Sequence, residues 1–68
     1  MLKLQVLSVY YREHLVVEIM DETSTMIAEI NREDGPPRIE FYVKEGQSFD
    51  LAEFLEILER GKEEIANT

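Results

Sequence analysis

The chain reads as an α+β fold, a four-stranded antiparallel meander with one C-terminal helix packed on one face (ββββα). Two observations predict it. Between residues 2 and 44, apolar and polar residues alternate in four short segments, which is the period of half-buried strands. After Asp50 the apolar residues recur at helical spacing, and no other segment sustains that period. One helix must therefore cover a sheet that nothing else covers. With 68 residues the chain is expected to form a single domain near the size at which one core only just suffices, so a lone monomer would be marginally stable.

The first strand is predicted over residues 2–10, with Leu2, Leu4 and Val6 on the helix side against Lys3 and Gln5. Leu7 and Val9 put apolar groups on the opposite side, which means either a part-buried reverse face or a bulge. Tyr11-Arg12-Glu13 reads as a turn, and residues 14–20 as the second strand with Leu15, Val17 and Ile19 inward. Asp21-Glu22-Thr23-Ser24 connects to a third strand at residues 25–32, with Met26, Ala28 and Ile30 inward. Alanine and methionine are weak strand formers, so a short helix is the competing reading there. Glu33-Asp34-Gly35-Pro36-Pro37 is a loop. The fourth strand, residues 38–44, carries Ile39, Phe41 and Val43 inward. Prolines at its start place it at a sheet edge, because they cannot donate to a ladder.

The helix is predicted over residues 51–66. Asp50 is the N-cap, because Glu53 then falls three residues later and completes a capping box, while Phe49 and Phe54 form a hydrophobic staple. Leu51, Phe54, Leu55, Leu58 and Ile65 are predicted to face the sheet. Glu53, Glu56, Arg60, Glu63 and Glu64 point outward, with Glu56–Arg60 and Arg60–Glu64 spaced as ion pairs. Gly61 marks either a close approach to the sheet or a frayed last turn.

Composition narrows the function classes. Fifteen acidic against seven basic residues give a net charge of -8, a surface that repels nucleic acid and attracts basic proteins. Four strands and a helix also describe a single-strand-binding fold, but that function needs a basic groove with interleaved aromatics. Here the strands offer Tyr10, Tyr11, Phe41 and Tyr42, but the seven basic residues are dispersed and outnumbered. The chain has no cysteine, so neither a disulfide framework nor a thiolate metal site is expected, and a reducing, cytoplasmic setting fits. Short apolar runs predict no membrane span and no signal peptide. The lone His14 lacks a nucleophile and an orienting group at any telling spacing. The pairs Asp21-Glu22 and Glu33-Asp34 do not follow the alternating ligand pattern of a calcium loop. No enzyme activity, cofactor or metal is expected.

The reverse side of the sheet combines Lys3, Gln5, Leu7, Val9, Val16, Glu18, Met20, Ile27, Glu29, Glu40, Tyr42 and Lys44, more apolar content than a solvated face needs. Val16, Glu18, Ile27, Glu29, Glu40 and Tyr42 on that face, with Glu53 and Glu56 on the helix, are the candidate partner-binding residues. At Ile27-Ala28-Glu29-Ile30, Arg38-Ile39-Glu40-Phe41-Tyr42 and Phe49-Asp50-Leu51-Ala52-Glu53-Phe54-Leu55 the chain resembles the small acidic immunity proteins of bacterial polymorphic toxin systems. That resemblance implies a toxin-neutralising binder that occludes a basic surface, and it carries over no individual functional residue. The expected function is thus a non-catalytic inhibitor of a basic protein partner. The alternatives are a self-associating module, dimeric through the open sheet face, and a DNA mimic whose carboxylates imitate phosphates.

Overall fold

The computed structural model describes residues 1–8 and 13–67. Strands β1 (Lys3–Leu7), β2 (Val16–Met20), β3 (Met26–Asn31) and β4 (Arg38–Phe41) form one sheet in chain order, every neighbouring pair antiparallel, followed by helix α1 (Leu51–Ala66). The meander and single helix are as the alternation predicts, and residues 25–32 hold a strand rather than a short helix. The proline-led strand β4 lies at the sheet edge. The strands are shorter than the pattern suggests: Leu15 precedes β2 and is exposed, and residues 42–44 follow β4. Val9, Tyr10 and the turn expected at Tyr11 and Arg12 lie outside the described residues.

Register decides which side chains share a face. Leu4 opposes Ile19, Val6 opposes Val17, Val17 opposes Ile30, and Ala28 opposes Phe41, so these lie on the helix side. Of the two readings of Leu7, the part-buried reverse face holds and the bulge does not, since β1 pairs with β2 in unbroken register as far as Leu7 and Val16. Instead the β2–β3 register slips between Ile19 and Met20. Ile27 is the extra residue, and alternation breaks at it. Met26 therefore opposes Met20 on the reverse side, and Ile27 joins the buried core cluster. Both assignments differ from simple alternation, which put Met26 under the helix and Ile27 on the open face.

The β2–β3 connection is built by one carboxylate. Asp21 accepts from the Thr23 N–H (2.9 Å), the Thr23 hydroxyl (2.6 Å) and the Thr25 N–H (3.1 Å), holding a turn in which Ser24 takes φ 66°. On the far side, the Glu33 carboxylate accepts from the Glu13 N–H (2.9 Å) and the His14 N–H (3.1 Å), tying the entrance of β2 to the loop after β3.

Helix α1 begins as its cap predicts. The Asp50 carboxylate accepts from the Glu53 N–H at 2.9 Å, and the Phe49 and Phe54 rings stack with centroids 5.5 Å apart. The Glu53 carboxylate, however, turns to the Leu2 N–H at 2.8 Å, anchoring the start of the chain. No ion pair forms between Arg60 and either Glu56 or Glu64.

The sheet-facing stripe is rotated from the expected one. Ile57, Gly61 and Ile65 are buried, with Phe54 and Leu58 packed against the cluster, whereas Leu51 is 72% exposed and Leu55 54%. Gly61 is the reason. A methyl group there would sit 2.7 Å from Ile30 Cδ1, 3.5 Å from Val17 Cγ1 and 3.6 Å from Leu4 Cδ1. Glycine lets the helix backbone descend onto β1, β2 and β3, and turning that spot inward turns Leu51 and Leu55 outward. The helix packs on those three strands and leaves β4 uncovered.

This contact makes a test by size. In Gly61→Ala, the helix gains about 1 kcal/mol of propensity. Swinging the flexible end of Ile30 aside costs about 0.5–1.5 kcal/mol, so the net change should be within about 1 kcal/mol of zero. Gly61→Leu has no such escape against Val17 and Leu4, and should destabilise by about 1–3 kcal/mol in urea unfolding. Equal stability for both variants would contradict the close approach.

Candidate functional site

The reverse sheet face is not the open surface that alternation suggested. Val16 is 0%, Ile27 1% and Glu29 5% exposed, so these three candidate residues cannot receive a partner. The bulge accounts for Ile27, which left this face for the core cluster. Glu18 is half-buried, while Glu40 and Tyr42 remain exposed at the β4 margin. Of the two helix candidates, Glu53 is half-buried and engaged with Leu2, and Glu56 is exposed.

Across that face the register lines up a row of carboxylates. Glu18 opposes Glu29, and Glu29 opposes Glu40. Like charges directly opposite one another destabilise a sheet unless donors stand between them. Asn31 supplies donors, its amide Nδ2 giving hydrogen bonds to Glu29 Oε2 and Glu40 Oε1, both at 2.9 Å. The Tyr42 hydroxyl donates to Glu40 Oε2 at 2.9 Å. Asn31 is itself buried and its Oδ1 accepts the Glu33 N–H at 3.4 Å. Asn31 carried no role in the sequence reading. The signal was present in its position two residues after Glu29, which puts both on one face of a strand.

The exposed apolar surface lies elsewhere, on the helix side at β4. Ile39 and Phe41 are exposed there because α1 stops at β3, and Val43, just past the strand, is exposed as well. Between β4 and the helix runs an open groove of about 230 Å³ lined by Ile30, Ile39, Phe41, Leu58, Lys62 and Ile65 among others. Leu51, Leu55, Leu58 and Lys62 follow one another at spacings of four, three and four, a second stripe along α1 beside the sheet-facing one. The sequence reading merged the two stripes.

A third feature is a cleft of about 640 Å³ at the helix N-terminus, where Asp21, Glu22, Asp50 and Glu53 converge with Leu2 and Phe49. Its carboxylates are committed to structure: Asp21 to the turn, Asp50 to the cap, Glu53 to Leu2, and Glu22 to the N-terminal ammonium at 3.6 Å. Hydrogen bonds from the Thr23 side chain first, and then from Thr25, hold the Asp21 carboxyl below its ordinary value of 3.8. Among the described residues, no group of three or more His, Cys, Asp or Glu is placed to hold a metal ion. No described helix is long and apolar enough to cross a membrane. The sole histidine, His14, meets Glu33 through its backbone amide.

No protein-family model, curated protein or solved structure matches this chain.

Two measurements check this geometry. Asn31→Ala removes the donor shared by two charged acceptors and should cost about 2 kcal/mol in urea unfolding. A neutral effect would mean the carboxylate row needs no bridging amide. For Asp21 the sign is that of a depressed carboxyl: its stabilising contribution is present above pH 3.8 and lost as pH falls through the lower folded value. Asp21→Asn should therefore be less stable than wild type at neutral pH, and the gap should close in acid. A gap that widens in acid would contradict the assignment.

Proposed function

We propose that this protein is a non-catalytic protein-binding module, an inhibitor of the immunity or antitoxin type that docks against a basic partner protein. The observation that carries this reading is the acidic outer side of α1, where four glutamates outnumber Arg60. Glu56, Glu59, Glu63 and Glu64 are exposed along it, the last turn holds no basic residue, and Arg60 closes no ion pair with its neighbours. Carboxylates left unpaired at a net charge of -8 project a field into solvent, which steers oppositely charged proteins into fast encounter. The burial of Val16, Ile27 and Glu29 removes these three as contacts, which supports the helix face over the sheet as the docking surface. Glu56 is the earlier candidate that remains central, and Glu59 is added to it.

The test is association kinetics with the basic product of a neighbouring gene. The rate constant should fall steeply as salt rises. Replacing Glu56, Glu59 and Glu63 together by glutamine should slow association by roughly tenfold at low salt while leaving the melting temperature at or above that of wild type. Binding that is indifferent to salt and to these charges would overturn the proposal.

A further inference from the structure

The uncovered seam between β4 and α1 is a different surface from the acidic helix face, and its chemistry points to a different occupant. We propose that a second copy of this chain docks there. The two β4 strands pair antiparallel about a twofold axis, joining two four-stranded sheets into one of eight, and the two open leucine stripes of α1 meet over the join.

Backbone geometry supplies the first argument. The Tyr42 N–H donates to the Ile27 carbonyl at 2.8 Å, so Tyr42, and by alternation Glu40 and Arg38, direct their backbone groups toward β3. The amides and carbonyls of Ile39 and Phe41 then point off the sheet, and β4 ends the strand order. The residues with outward-facing backbone are the same ones whose apolar side chains lie bare on the helix side. A twofold axis at Phe41 sets Phe41 opposite its own copy and Ile39 opposite Val43, so Phe41 and Ile39 gain ladder bonds and all three gain apolar neighbours. On the other face Glu40 meets Tyr42 of the second copy, a pairing whose hydrogen bond already exists within the chain at 2.9 Å.

Area supplies the second. The chain exposes 4913 Å² at 8.0 kDa, whereas the scaling for folded monomers gives about 4,450 Å² for that mass. Phe41 at 54%, Leu51 and Leu55, with Ile39 and Val43, are among its exposed large apolar residues. Together these side chains leave on the order of 500 Å² of apolar surface in water, near the top of the range for the largest patch on a monomer. With the polar strand edge included, burial reaches roughly 600–800 Å² per chain, enough for a specific dimer. Self-pairing of one edge strand is isologous, so each chain presents the patch that its partner needs, and the assembly closes at two.

Charge distinguishes a second copy from the basic partner. Two of the seven basic residues, Arg38 and Lys62, line the seam. A basic protein is repelled there, while another acidic chain meets this molecule on its least negative side. The opposition of Arg38 to Lys44 falls at the outer ends of the paired strands, where water and salt screen it.

Sedimentation equilibrium of the full chain tests the inference. The expected result is twice 8.0 kDa, with the association held or tightened as salt rises, opposite to the salt response of the acidic face. Phe41→Glu and Leu55→Glu should each return the monomer mass, whereas Leu15→Glu, at an exposed site off the seam, should not. Because a loss of folding would also remove the dimer in Phe41→Glu, Phe41→Cys supplies a second readout. The chain has no other cysteine, and two copies opposed on the axis are within reach of a disulfide. Rapid formation of a disulfide dimer supports the seam. A monomer at all concentrations, or a dimer that survives both glutamate variants, overturns it.

Discussion

Everything in this structure depends on how closely one helix can approach one sheet. At Gly61 the absence of a side chain lets the backbone of α1 settle against Ile30, Val17 and Leu4. Any larger residue would lift the helix off the strands or push Ile30 aside. The stripe through Ile57, Gly61 and Ile65 then becomes the sheet-facing line, and the core condenses on β2 and β3 around Val17, Ile19, Ala28 and Ile30. The cap at Asp50 and the stacked pair Phe49 and Phe54 fix where the helix starts along that line.

The same contact determines what stays exposed. A helix seated over β1 to β3 has no width left for a fourth strand. Ile39, Phe41 and Val43 consequently remain in water beside the outward-turned Leu51 and Leu55. The protein thus divides its surface by chemistry: an apolar seam lined by Arg38 and Lys62, and a helix face on which glutamates outnumber Arg60. If each surface takes the partner proposed for it, the two associations respond to salt in opposite directions. The reverse face is the third region, and its row of glutamates is tied by Asn31 and Tyr42 into the sheet itself.

Strand number, strand order and helix were legible because alternation and the change of period are local signals. The N-cap was legible for the same reason, since Asp50, Glu53 and the flanking phenylalanines lie within a few residues of one another. What was not legible depended on contacts between distant segments. Alternation cannot show that β3 carries an extra residue at Ile27, because the bulge is defined only by the register against Ile19 and Met20. It therefore misplaced Met26 and Ile27, and with them part of the expected binding face. The helix held two adjacent apolar stripes, and hydrophobicity alone favoured the leucines. The correct choice followed from the smallest residue, whose value lies in the space it leaves empty.

The claim underlying all of this is that α1 lies over β1 to β3 through Gly61 and leaves β4 bare. Proton NMR on dilute protein, where single chains dominate, reads it directly. The account predicts nuclear Overhauser contacts from the Gly61 α-protons to the Ile30 δ-methyl, Val17 and Leu4, and none between the Phe41 ring and Leu51 or Leu55. Strong contacts from the Phe41 ring to those leucines within one chain, with Gly61 distant from Ile30, would contradict it.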